Sequence, residues 1–565
     1  MERFVNQTAF RLTALLALLA AATAAIGAGA RTAEEAVNLG NSDLNRLDYT
    51  AAIAAFTEAI QLNPRLAAAY VGRGRGYRGS GQLGSAVRDF TEAIRVKPDS
   101  AEAYCGRGLA HEDRGEISEA IADLAAATRL QPRDPALRAH RARQYAAKGE
   151  YRAAVDDFSE ALRLDPSNAK LYVARGFIYS VMGDFDKAIA DGSESVGLDP
   201  KLARAYCMRG VAYAGKRRTD LAIVDFTEAI RLDPKDAYAY HKRGRAYGED
   251  GQRDRAIADY GEAIRLDAKR ADAYYDRGSI FLGMGANTRA VADYTQAIRV
   301  KPDYADAYYG RGAAYLAKGD DDKSIGGYEK TPADYREAVR LKPDDAEPWY
   351  GRGLGYENSR QCDRSIADCG KAIADFTEAI RLKPDWAEAR CARGLAREKV
   401  GDHKRAVEDY TAAIRLRPDF AGAYRARAFA HEEMGDHDKA AEDYTAAMRL
   451  NPKDEDARRA RALAYENNFQ YDKAIADYTE IIRHNPKNAE AYRARGSCHS
   501  QKGELDKAVA DYTEAIRLDP DNADAYHWRA VAHQRLGEKA KAEQDFELEM
   551  AKRHGQKGGG QPGGG

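Results

Sequence analysis

The chain has 565 residues, with 88 Lys and Arg against 89 Asp and Glu and a formal net charge of -1. Such a balance is a poor fit to non-specific binding of a phosphate backbone, which clustered positive charge drives. A chain this long would ordinarily divide into several domains, yet alanine, arginine, glutamate and leucine dominate throughout and no Ser/Gly-rich linker interrupts the middle.

The N-terminal segment stands apart. Arg3 and Arg11 bracket a short polar start, Leu12 to Ile26 is apolar, and Ala28-Gly29-Ala30 supplies small residues suited to cleavage. Residues 1–30 are expected to be a secretory signal peptide, with a mature protein beginning at Arg31 in the periplasm. The alternative is an uncleaved inner-membrane anchor over 12–30, and only then is a membrane contact expected.

From residue 31 to 554 one pattern recurs. Proline falls every 34 residues at Pro64, Pro98, Pro132, Pro166, Pro200 and Pro234, and again at Pro384, Pro418, Pro452, Pro486 and Pro520. The span parses into fifteen units, thirteen of 34 residues and two of 41, the long ones being 303–343 and 344–384. Within a unit, apolar residues spaced three and four apart predict two amphipathic helices. Glycines such as Gly149, Gly183 and Gly435 fit the left-handed position that ends the first helix, and the proline closes the second. A period of this length predicts an all-α solenoid of antiparallel helix pairs, in which no unit buries its apolar face alone.

Fourteen units carry an arginine in the middle of the first helix, from Arg73 to Arg529, and an aspartate nine places before the unit's end, from Asp89 to Asp545. The first unit has Leu39 and Ala55 instead. Joint loss in one unit predicts an ion pair made within each unit, rather than an arginine ladder for anionic ligands.

Taken in order, the individual units differ in informative ways. Unit five has Gly192 where others place Phe, Tyr or Leu, with Ser195 and Gly197 in the same helix, so residues 184–198 are expected to be a local weak point. In unit nine, Thr331-Pro332 is expected to cap and open a new helix start. In unit ten, Ser365-Ile366-Ala367-Asp368 is followed seven residues later by Ala372-Ile373-Ala374-Asp375, which reads as a two-turn duplication inside the second helix. The last unit bears Glu543 and Glu549 and is expected to cap the array, followed by a disordered tail at 555–565.

The residue after the first-helix tyrosine is expected to line the binding face. It changes along the chain from small residues to Tyr275, Tyr309 and Tyr350 and then to Arg425, Arg459 and Arg493. Aromatic and arginine side chains are the usual anchors of protein interfaces, so these six are the candidate site. The alternative is free drift of a solvated position.

The spacing Tyr, Gly, Tyr, Ala, Phe/Tyr, Ala, Pro, seen at Tyr240, Gly244, Tyr247, Ala256, Tyr260 and Ala263 with Ala268 in the proline place, resembles the tetratricopeptide repeat. The resemblance covers 31–554. It implies a right-handed superhelix whose first helices line a concave face that takes peptides or extended protein segments. The clamp by which some relatives hold chaperone C-termini needs Lys at the groove position and Asn four residues on. Here the first is never Lys and the second is Asn only at Asn41.

Chemistry is sparsely signalled. Gly74-Arg75-Gly76-Tyr77-Arg78-Gly79 matches a nucleotide-loop pattern but falls within a first helix with no strand before it. His111-Glu112 and His431-Glu432 lack the second His of a helical zinc site. The six cysteines show no C-x-x-C spacing, so free thiols are expected. No catalytic residue, cofactor or metal is assigned. The expectation is a non-enzymatic scaffold of the bacterial cell envelope that binds a protein or peptide partner. The alternatives are a nucleic-acid-binding helical repeat and an accessory subunit of an envelope enzyme complex. Residues 419–520 argue against nucleic acid, with 16 Lys and Arg against 20 Asp and Glu.

Overall fold

A computed structural model describes residues 31–322, 325–357 and 366–557. The signal-peptide assignment and most of the tail lie outside them. Among the described residues thirty α-helices follow one another in fifteen antiparallel pairs, with no strand. Two compact units divide the chain, Met1–Ala268 with repeats one to seven and Lys269–Gly565 with repeats eight to fifteen.

Repeat two shows how the sequence makes a pair. Its first helix, Ala67–Gly79, ends where Gly81 adopts φ +77°. The Gln82 N–H donates to the Tyr77 carbonyl at 2.8 Å and the Gly81 N–H to the Arg78 carbonyl at 3.1 Å, a Schellman arrangement that satisfies the last carbonyls. Gln82 is at once the cap of the second helix, Leu83–Val96, so reversal takes three residues. Gly149, Gly183 and Gly435 hold the same left-handed conformation. Leu47, Arg217 and Phe469 adopt it without being glycine, at a backbone cost of about 1 kcal/mol each.

The core is a row of small layers. Except in repeat five, where the place is taken by Gly192, the second helix sends one aromatic or leucine inward, such as Phe90, Phe158, Tyr410 or Tyr512, between fully buried alanines of its own and the next first helix. First helices of successive repeats touch within each unit, whereas no comparable contact joins successive second helices. First helices therefore line the inner side of each array.

The fourteen arginines pair as the sequence predicts. In each case Nε and Nη2 donate to the two oxygens of the aspartate in the same repeat, at 2.7 and 2.9 Å for Arg73 and Asp89 and at 2.8 and 2.7 Å for Arg311 and Asp334. The sequence reading did not foresee the third contact. The remaining Nη1 donates to a hydroxyl one repeat earlier, as from Arg73 to Thr57 at 3.2 Å and from Arg311 to Thr295 at 3.2 Å. Where that position is Ala125, Gly261 or Arg336 the bond is missing. The guanidinium thus joins two helices of one repeat and ties them to the repeat before.

Two expectations need correction, at Pro332 and at the cysteines, and the structure adds a detail to repeat five. Pro332 does not open a helix: it lies inside a continuous helix, Ile325–Leu341, and the preceding helix, Ala305–Asp322, runs past the usual stop at Gly319. Fully buried Thr331 sits against Gly355, where an added Cβ would lie 2.8 Å from Thr331 Cγ2 and 3.4 Å from Pro332 Cγ, so the glycine makes room for both residues. In repeat five the space left by Gly192 is not empty. The Arg209 side chain of the next first helix lies over Gly192, its Cβ 2.7 Å from where a Cβ would stand, buried Met208 of the same first helix packs against Gly176, where a Cβ would meet its Cε at 2.6 Å, and Ser195 donates to the Ala169 carbonyl at 2.9 Å. Finally, Cys105, Cys207, Cys391 and Cys498 are free thiols, but Cys369 is disulfide-bonded. The sixth cysteine, Cys362, lies outside the described residues.

In repeat ten the second helix spans Ile366–Leu382, three residues longer than the ordinary fourteen. Asp368 and Asp375 are both buried seven residues apart on one face, so the duplicated segment repeats its register. Asp375 has Arg352, whereas Asp368 is held by Lys371 at 2.6 Å.

Candidate protein-binding surface

The six residues singled out from the sequence all lie on first helices of the second unit, but in two different environments. Tyr275, on Ala271–Gly283, packs its ring against Tyr294 of its own repeat at 5.7 Å and against Tyr304, which opens the next repeat, at 5.2 Å. Tyr309, on Ala305–Asp322, meets Tyr335 edge-on at 5.6 Å. Tyr350, on Ala346–Glu357, lies 5.7 Å from Phe376 and 4.5 Å from Trp386. Lys383 covers the Trp386 ring at 4.6 Å. All three tyrosines are half-buried. Burial raises the Tyr275 hydroxyl above the ordinary phenol value and pushes those of Tyr309 and Tyr350 up to about 12. Each ring belongs first to the packing of its own repeat.

The arginines are open. Arg425, on Ala421–Glu433, is 54% exposed and reaches Asp454 only at 3.4 Å through one Nη. Arg459, on Glu455–Asn467, is 64% exposed with a single contact to Asp456 at 3.3 Å. Arg493, on Ala489–Gln501, is more enclosed and is held by both oxygens of Glu490.

Periodicity at the chosen position did not reveal what stands beside these arginines. Four residues on, Leu395, Phe429 and Leu463 are 41%, 47% and 47% exposed on the first helices of repeats eleven, twelve and thirteen. Three residues further lie Glu398, Glu432 and Glu466, which accept hydrogen bonds from the second-helix hydroxyls of Tyr410, Tyr444 and Tyr478 at 2.6, 3.0 and 3.2 Å. Burial raises the Glu398 and Glu432 carboxyls, partly offset by the phenol hydrogen bonds. A sequence signal was available in the recurring spacing of arginine, apolar residue and glutamate at 425, 429, 432 and again at 459, 463, 466.

The first unit has a concavity of its own, about 1080 Å³ in volume, among repeats one to four. Exposed Asn41 and Asn45 line it beside two pairs that cross between repeats, Arg75 with Glu102 at 2.5 Å and Arg78 with Asp113 at 2.6 Å. Its charges are thus largely neutralised. Among the described residues no group of three or more His, Cys, Asp or Glu is placed to hold a metal ion, and no helix is long and apolar enough to cross a membrane.

Comparison with known proteins agrees on the repeat. Family models described as TPR repeat match residues 142–183, 244–285, 278–319 and 496–537. Models described as tetratricopeptide repeat match 71–135, 363–421, 391–455, 203–236 and 226–258, and together the matches span more than half of the chain. Among solved structures, a tetratricopeptide repeat protein from Parabacteroides merdae is 21% identical over 43% of this chain and 97% of its own, with a TM-score of 0.39. The APC/C hetero-tetramer Cut9–Hcn1 is 14% identical over 82% and 96%, TM-score 0.36. YrrB, described as a TPR protein with an unusual peptide-binding site, is 23% identical over 33% and 96%, TM-score 0.30. No curated protein matches the chain.

Proposed function

Because the chain belongs to the tetratricopeptide repeat family, we propose that it is a non-enzymatic scaffold of the bacterial cell envelope that binds a segment of a partner protein on the first-helix face of its second unit. The observation that carries this reading is the contrast among arginines. The fourteen ladder arginines are bidentate and largely buried, whereas Arg425 and Arg459 are over half exposed and held by one long contact each. Arginines left open beside exposed apolar side chains are typical of interface centres. Export is supported by the apolar leader-like segment at the N-terminus.

The test has two arms. N-terminal sequencing of the native protein should begin at Arg31; a start at Met1 in the cytosolic fraction would sink the export part. Affinity capture from envelope extract with the mature chain should return a protein partner. Replacing Arg425, Arg459 and Arg493 by Glu should weaken that capture, more at low salt than at high, because exposed charges are screened within about 10 Å. The tyrosines are a separate component. Replacing Tyr275, Tyr309 and Tyr350 by Ala should abolish capture if they anchor the partner, and a melting curve must accompany it because the rings also pack the repeats.

A further inference from the structure

The first helices of repeats eleven to thirteen present three parallel rows. In repeat twelve Arg425, Phe429 and Glu432 are four and three residues apart, which keeps them on one face. Arg459, Leu463 and Glu466 repeat the arrangement in repeat thirteen, and Leu395 with Glu398 extend it into repeat eleven, where buried Cys391 takes the arginine place. The apolar residue and the glutamate recur as Leu109 with Glu112 in repeat three and as Leu354 with Glu357 in repeat ten, but with Cys105 and Tyr350 in the arginine place, whereas repeat two reads Val71, Arg75 and Arg78. The arginine joins the apolar residue and the glutamate only in repeats twelve and thirteen, and that combination is what marks a local surface.

Resting on the protein-binding reading above, we propose that this surface docks an amphipathic helical segment of the partner, its apolar stripe on Leu395, Phe429 and Leu463, an acidic border on Arg425 and Arg459, and a basic border on Glu398, Glu432 and Glu466. Geometry favours a helix over a strand. Seven residues separate the arginine from the glutamate row, about 10 Å along the helix, which matches the 10–12 Å width of an α-helix with its side chains. An extended strand sends alternate side chains to opposite faces and offers no such three-row face. Charge complementarity supplies both borders. The arginines make only single contacts beyond 3.2 Å, so an incoming carboxylate competes readily. On the other side the glutamates are fixed on the face by hydroxyl donors from the chain itself, Glu398 by Tyr410, Glu432 by Tyr444, and Glu466 by Tyr478 and Ser497.

The probe is a set of three fluorescently labelled synthetic 18-residue helices sharing one leucine stripe, with borders of glutamate and lysine, glutamate only, or lysine only. Anisotropy titration against the full mature chain should show the mixed-border peptide binding at least tenfold tighter than either of the others. Phe429→Ala with Leu463→Ala should lose at least tenfold of that affinity. Arg425→Glu with Arg459→Glu should weaken the mixed peptide and tighten the lysine-only one. Glu432→Gln, a near-isosteric change, serves as a second variant and should weaken the mixed and lysine-only peptides alone. Failure of the mixed peptide to bind, or equal affinity of all three, overturns the proposal. The general protein-binding reading is judged separately: it fails if the parent chain captures no partner from envelope extract.

Discussion

An arginine in the middle of the first helix, largely buried against the second, is a costly choice at the scale of one residue. It is tolerated because Asp accepts from Nε and Nη2 and, where the preceding repeat offers a hydroxyl, Nη1 donates to that as well. Arg311→Ala should therefore destabilise the second unit by about 3 kcal/mol, since it leaves Asp334 buried and uncompensated, while Arg311→Leu with Asp334→Leu should recover most of the loss. Urea midpoints of the two variants decide it, and equal losses would show that the pair is not what matters. The glutamate row gives a pH test of opposite sign to the usual carboxylate. Burial holds the Glu432 carboxyl above the ordinary glutamate value, so the folded state takes up a proton more readily than the unfolded one. Its contribution to stability rises as pH falls through the folded value towards about 4.3, the unfolded one. Glu432→Gln should therefore raise the melting temperature relative to the parent at pH 7, and the gain should vanish near pH 4.

Between neighbouring helices, a small residue in one is covered by a larger one from the next. Repeat five has Gly192 in the place of the second-helix aromatic, and Arg209 and Met208 of repeat six pack against Gly192 and Gly176. Met208→Ala should cost about 3 kcal/mol, the range for an emptied core position. Gly192→Phe alone should destabilise by overpacking, whereas Gly192→Phe with Met208→Gly should restore much of the stability. Hydrogen exchange over 184–198 reports the same cycle locally. The parent's helix still carries two glycines, so it should open more readily than the second helix of repeat seven, Arg253–Leu266, though its core layer is filled. Repeat nine shows the same reciprocity, with Gly355 of one helix making room for Thr331 and Pro332 of another.

Within each unit, the core layers among the described residues are built from one repeat and its neighbour, so stability is a sum of local terms. A fragment of residues 31–268 should keep the helicity per residue of the full chain by circular dichroism and melt cooperatively. Loss of helical signal in that fragment would mean that the first unit depends on distant repeats. The molecule also carries two surfaces of unlike chemistry. The first unit's concavity has its arginines paired across repeats, so any binding there should be nearly indifferent to salt, in contrast to the open arginines of the second unit.

The sequence by itself determined the period, the helix pairs, the left-handed turns and the fourteen ion pairs. These follow from patterns contained within one unit and repeated until ambiguity disappears: Gly81, the Arg73–Asp89 pair and the buried Phe90 need no information from afar. The tertiary structure alone decided what depends on the next repeat. The room that Thr331 and Pro332 occupy is left by Gly355 of the next repeat, and what stands against Gly192 and Gly176 is set by Arg209 and Met208 of another helix. The candidate site divides in the same way. Tyr275, Tyr309 and Tyr350 share a register with Arg425 and Arg459, yet the tyrosines sit half-buried against Tyr304, Tyr335, Phe376 and Trp386 while the arginines stand open. Helical register fixes the face on which a side chain starts, but its exposure is set by the size of the residues that neighbouring helices bring against it.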